Sequence, residues 1–187
     1  RGVVDPPLFF NLILATLISH VGIVGGILEE DEVKPNQPAE KYYTGKGEYK
    51  SFVKPSSNSV LWPHYIERSL LFVDRNFRSL KNLNIEDVKS AIKFSDISSK
   101  STAKEQTNFC HYVRSAHILA YMTQSQYNQW LVRLYRSLEE ANLLDHLGFD
   151  HLGEFRENYS QHFWETFYSD LTHLIPLLRE TEEGKML

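Results

Sequence analysis

Cysteine is nearly missing from this chain of 187 residues: Cys110 stands alone, so no intrachain disulfide can form and no zinc cluster can be built on cysteines. Glycine and proline are scarce, at nine and seven residues, which excludes collagen-like and low-complexity architectures. An excess of basic charge is also lacking. Lys and Arg number 20 against 24 Asp and Glu, a net charge of -4, so the chain offers a polyanion no attracting field, and nucleic acid is not expected as a partner. The sequence contains no Gly-x-Gly-x-x-Gly, Walker loop, Gly-x-Ser-x-Gly or His-Glu-x-x-His motif, and neither an internal repeat nor an alternating β-branched run of strand length. What is present is 42% hydrophobic and 13% aromatic side chains, the composition of a folded protein with a core.

Charge is uneven along the chain. Arg1 and Asp5 cancel, residues 33–187 hold equal numbers of acidic and basic side chains, and the net charge is therefore the collar Glu29-Glu30-Asp31-Glu32. Before the collar, residues 8–28 carry no formally charged side chain unless His20 is protonated. As a helix this stretch would be about 30 Å long, the thickness of a hydrocarbon core, and it predicts a single transmembrane helix in residues 1–32. Two other readings of the stretch are a core helix, favoured by Asn11, Thr16, Ser19 and His20 within it, and a secretory signal, disfavoured by Asp5-Pro6-Pro7 ahead of it. Ala15, Ser19, Gly22 and Gly26 recur at four, three and four residues, which would put them on one helical face and give a helix of another subunit a close approach.

Residues 33–59 show no apolar period and read as an extended arm or linker. Tyr42, Tyr43, Tyr49 and Phe52 make it more aromatic than a solvated linker needs, so the arm is expected to dock on a neighbour or sit at a membrane interface. Residues 60–187 read as helices. Trp62, Ile66, Leu70, Val73, Phe77 and Leu80 form one stripe; Asn84 caps a short helix to Phe94; Thr123 and Gln126 form a capping pair; and Asp150 caps a helix running toward Pro176. The expected fold class is all-α, an N-terminal helix and arm followed by an antiparallel bundle with Trp62, Trp130, Phe163 and Phe167 in its core.

Eight histidines invite a metal reading, but no pair is spaced four apart on one helix and no Glu-x-x-His occurs twice, so no metal and no cofactor are expected. Asp170 and His173, three apart, are the candidate catalytic pair, because a carboxylate can fix the tautomer of a neighbouring imidazole. Asp170 lies on an apolar arc and should be paired, with His173, a tyrosine hydroxyl or an arginine of another helix as partner. Cys110 and His111, being adjacent, diverge by about 100° on a helix and cannot meet as nucleophile and base. The expected function is that of a non-catalytic structural or accessory subunit of a membrane-bound complex. Its partners would be lipid and other membrane-protein subunits. The alternatives are a soluble or tethered helical enzyme using Asp170 and His173, and a soluble helical regulator or effector.

Overall fold

The computed structural model describes residues 5–34, 39–53, 57–96, 108–172 and 174–185. Pro6 and Pro7 preset the backbone for the first turn of α1 (Pro6–Ile18), where their missing N–H groups cost nothing. The helix stops sooner than the apolar run does. Ser19 and His20 leave it, and a 3-10 turn, Val21–Ile23, follows. The helical run Pro6–Ile23 as a whole is long and apolar enough to cross a membrane by length and composition, with a mean hydropathy of 1.6.

The segment read as an extended arm contains a β-hairpin, so the all-α expectation needs correction. Strand β1 (Ala39–Tyr43) pairs antiparallel with β2 (Tyr49–Val53), Tyr43 opposite Tyr49 and Ala39 opposite Val53. The strands are made of the aromatics and long polar side chains that suit a half-buried pleat, and Tyr43 and Tyr49 pack edge to face across the pair. Five residues per strand are too few to show an apolar period. The hairpin is laid on its own protein: Tyr42 is buried and packs with Phe52, Val60 and Leu61.

A second correction concerns the stripe from Trp62 to Leu80. Pro63 lies in a 3-10 segment, Asn58–His64, and α2 (Tyr65–Asn76) begins only after it. The deepest face of α2 is Tyr65, Arg68, Ser69 and Val73, while Ile66, Leu70 and Phe77 are half-buried beside it and Leu80 is exposed. Helix α3 (Ile85–Phe94) is capped by Asn84, whose side-chain oxygen accepts from the Asp87 N–H at 3.3 Å, as the sequence predicts. Helices α4 (Asn108–Met122) and α5 (Tyr127–Glu140) follow, the second without a side-chain cap at Gln126. Asn142, in the left-handed region, turns the chain after α5. Helix α6 (Leu152–Leu171) is capped by His151 rather than Asp150: its Nδ1 accepts from the Glu154 N–H at 3.2 Å. Two short helices, α7 (Ile175–Leu178) and α8 (Glu182–Lys185), end the described chain.

The apolar side chains gather in two main clusters. One joins α1, α2, α3 and the start of α4 around Ala15, Val73, Ile92 and Val113. The other joins the end of α4 to α5 and α6 around Ile118, Leu131, Phe155 and Phe163. Trp62, Trp130 and Phe167 pack half-buried against the second. Helix α4 is common to both, and its middle, Arg114, Ser115 and His117, carries the polar contacts between them.

Candidate functional site: the two faces of the N-terminal helix

Helix α1 presents one face to the protein and one to its surroundings. Inward point Asn11, Ala15 and Ser19, all buried, and Gly22 continues that line beyond the helix end. The close approach predicted from these small residues does occur, but it is made by helices of the same chain. Ala15 packs in the first cluster, and at Gly22 a Cβ would lie 2.1 Å from the Tyr65 carbonyl oxygen, so nothing larger than hydrogen fits there. Gly22 donates its N–H to Ser69 Oγ at 2.9 Å, and Ser69 Oγ donates to the Ser19 carbonyl at 2.9 Å. Gly26 does not belong to this face. It is exposed in a turn with φ of 78°, a conformation that glycine adopts without strain, because the helix has already ended.

Arg68 locks the segment that follows. Its side chain is fully buried, and it donates Nε to the Gly22 carbonyl at 2.6 Å, Nη2 to the Val24 carbonyl at 3.0 Å and Nη1 to the Tyr43 carbonyl. Both terminal nitrogens also reach Asp31, at 2.9 and 2.8 Å. This is the bidentate geometry for which guanidinium is suited. Asp31 Oδ1 accepts in addition from the Tyr43 N–H, and Oδ2 from the Gly26 N–H. Burial pushes the Asp31 carboxyl up, but the Arg68 hydrogen bonds and the backbone N–H groups outweigh it and hold the group below its ordinary value. The acidic collar is thus fastened to α2, with Glu30 paired to Arg75 as well. Neither Arg68 nor its bond to Asp31 is legible in the sequence, where Asp31 is one of four acids and Arg68 interrupts an apolar stripe.

At the end of α1, Ser19 Oγ lies 2.6 Å from His117 Nε2 and 3.1 Å from His20 Nδ1, and it also bonds the Thr16 carbonyl at 3.2 Å. The hydroxyl has one proton, so only one of these three accepts from it and the ring nitrogens left over donate. His20 stacks on Tyr65 at 5.0 Å and meets the His117 ring edge-on at 4.6 Å. Burial and the nearby His20 push the His117 pKa down to about 4, so its imidazole is neutral at neutral pH. A hydroxyl against an imidazole has the layout of a nucleophile and its base, yet Ser19 is completely buried and no substrate can reach it. The cluster joins α1 to α4.

Of the candidate catalytic pair, His173 lies outside the described residues. Asp170 is almost buried and pairs with Arg114 of α4, Oδ2 to Nη2 at 3.1 Å. Arg114 Nη1 donates to the carbonyls of Phe94 at 3.1 Å and Asp96 at 2.6 Å, and Ser115 Oγ donates to the Asp170 carbonyl at 2.8 Å. The carboxylate on the apolar arc therefore ties α6 to α4 and α3. Among the described residues no three His, Cys, Asp or Glu side chains are gathered as for a metal ion. The arm aromatics divide. Tyr42 is buried with its hydroxyl on Glu40, Tyr43 and Phe52 are half-buried, and only Tyr49 is exposed, with the Lys41 ammonium 4.3 Å above its ring.

The outward face of α1 is entirely different. Phe9, Phe10 and Ile13 are 43–50% exposed and Leu17 is 75% exposed, with Val24 beyond them, while Leu8 is exposed in the first turn on the side of Asn11 and Ala15. Scattered surface apolar residues are ordinary, but four on one face of a single 13-residue helix form a patch. The fold and this site define a mostly helical protein with a small β-hairpin and an N-terminal apolar helix fixed by one side only. The chain belongs to the Npun_R2479-like family, whose model it matches over residues 1–187. No curated protein and no solved structure matches it.

Proposed function

We propose that the protein is a non-catalytic accessory subunit of a membrane-bound assembly, held there by the outer face of α1. The observation that carries this reading is the exposure of Phe9, Phe10, Ile13 and Leu17 together on a helix whose opposite side is bolted to α2 and α4. Because Ser19 and Gly22 are already engaged within the chain, α1 offers lipid or a membrane subunit only its outer side. Attachment is thus lateral, along the helix, rather than by a free span. Within the acidic collar, Asp31 and Glu30 carry out no docking of their own in this reading, since they are spent on Arg68 and Arg75. In this reading the helices behind α1 are an antiparallel bundle, which the short connection from Met122 to Tyr127 between α4 and α5 favours.

The test replaces Phe9, Phe10, Ile13 and Leu17 by glutamine in the full chain. All four are more than a third exposed, so the variant should melt as the parent does, yet disappear from the membrane fraction and from complexes isolated in mild detergent. A parent chain that is a monodisperse monomer without detergent and does not float with phosphatidylcholine vesicles refutes the proposal. That result would leave the second reading, a soluble helical regulator, which the burial of Asn11, Ala15, Ser19 and Gly22 inside the chain favours.

A further inference from the structure

The 3-10 segment before α2, α2 itself, α4, α5 and α6 leave a cavity of about 270 Å³ between them. Its floor is aliphatic, with Ile66, Leu134 and Leu138 among the lining side chains. Three tyrosines from three different helices, Tyr65 of α2, Tyr121 of α4 and Tyr159 of α6, converge on it. None of the three hydroxyls has a hydrogen-bond partner among the described residues, and none is sealed away from the open space. A phenol buried to this degree normally finds a partner. Three such groups around one apolar cavity offer hydrogen bonds to an occupant that displaces water from it.

We propose that this cavity binds an uncharged, largely aromatic organic molecule with one polar end, which the three hydroxyls hold. Size, shape and charge support the class. An apolar cavity of about 150 Å³ accepts benzene, so this one accommodates roughly ten to fifteen non-hydrogen atoms. The rings of Trp62 and Phe167 add flat walls to those of the tyrosines. The lining includes the carboxylates of Asp96 and of Glu67, which is paired with Lys46, and the imidazoles of His146 and His162, but no Lys or Arg, so an organic anion would meet no permanent cation in the lining. Burial raises all three phenol pKa values, that of Tyr121 to about 12, so the hydroxyls stay protonated and able to donate to a carbonyl or amide oxygen. His20, stacked on the Tyr65 ring, holds one wall in place from the turn that follows α1. The site is independent of what covers the outer face of α1.

Two ligands of equal shape and opposite charge character test it: neutral 2-naphthamide and anionic 2-naphthoate, titrated calorimetrically into the full chain. The expected result is saturable binding of one naphthamide per chain with Kd on the order of 100 µM, and at least tenfold weaker binding of naphthoate. Tyr121→Phe removes one hydroxyl without changing the packing and should weaken naphthamide several-fold. Leu134→Trp should fill the cavity and abolish binding, and circular dichroism shows whether that variant folds. Glutamine substitutions on the outer face of α1 should leave the affinity unchanged. The proposal is overturned by no saturable binding up to millimolar ligand, by equal affinity for the two naphthalenes, by an unaltered Kd in Tyr121→Phe, or by binding that vanishes with the α1 substitutions.

Discussion

Acid should loosen the junction between α1 and α4 chiefly through His117, beside which burial also lowers the pKa of His20. With a folded-state pKa near 4 against 6.5 when unfolded, His117 binds its proton more readily in the unfolded chain. The folded state is therefore favoured in full above pH 6.5, and this contribution is lost progressively as the pH falls from 6.5 to about 4. Each pKa unit is worth about 1.4 kcal/mol, so by pH 4.5 the loss amounts to about 2.5 kcal/mol, a sizeable part of the marginal stability of a domain. For a chain of this size that corresponds to a fall of roughly 5–10 °C in the melting midpoint. His117→Gln keeps a side chain able to bond Ser19 Oγ but cannot titrate. The measurement is the difference in unfolding free energy between pH 7.5 and pH 4.5, taken by urea denaturation for parent and variant. Carboxylates elsewhere act equally on both proteins and cancel in the comparison. The variant should lose about 2.5 kcal/mol less than the parent over this interval. Identical pH dependence in the two proteins, or an imidazole resonance of His117 that titrates near 6.5, would refute the reasoning.

Two further predictions concern the anchoring of the N-terminal segment. Asp31→Asn leaves the Arg68 guanidinium buried without its counter-charge and should cost about 3–5 kcal/mol, read as a lowered urea midpoint, whereas Glu29→Gln in the same collar should change it by no more than about 0.5 kcal/mol. Gly22→Ala places a methyl group against the Tyr65 carbonyl and should destabilise by about 3 kcal/mol, detectable in thermal melts; a neutral outcome would mean that α2 does not approach the segment as closely as 2.1 Å implies.

Local rules in the sequence determined a good deal. Pro6-Pro7, Asn84 with Asp87, and the period of Leu131, Leu134 and Leu138 mark helices because capping and helical periodicity act over four residues at most. The small residues Ala15, Ser19 and Gly22 marked a face meant for close packing, and the arc around Asp170 marked a carboxylate in need of a partner. Only the tertiary structure decided what meets them. Arg114 is 56 positions from Asp170, His117 is 98 from Ser19 and Arg68 is 37 from Asp31. A charge or a hydroxyl announces that it needs a partner, but which of several arginines or histidines arrives depends on how the helices and the hairpin share their buried surfaces. The hairpin escaped notice for a related reason, since strands of five residues gain their stability from the chain they lie on and leave no period of their own. The cavity is the clearest case: Tyr65, Tyr121 and Tyr159 each occupy an ordinary position on an ordinary helix, and their convergence exists only where three helices meet.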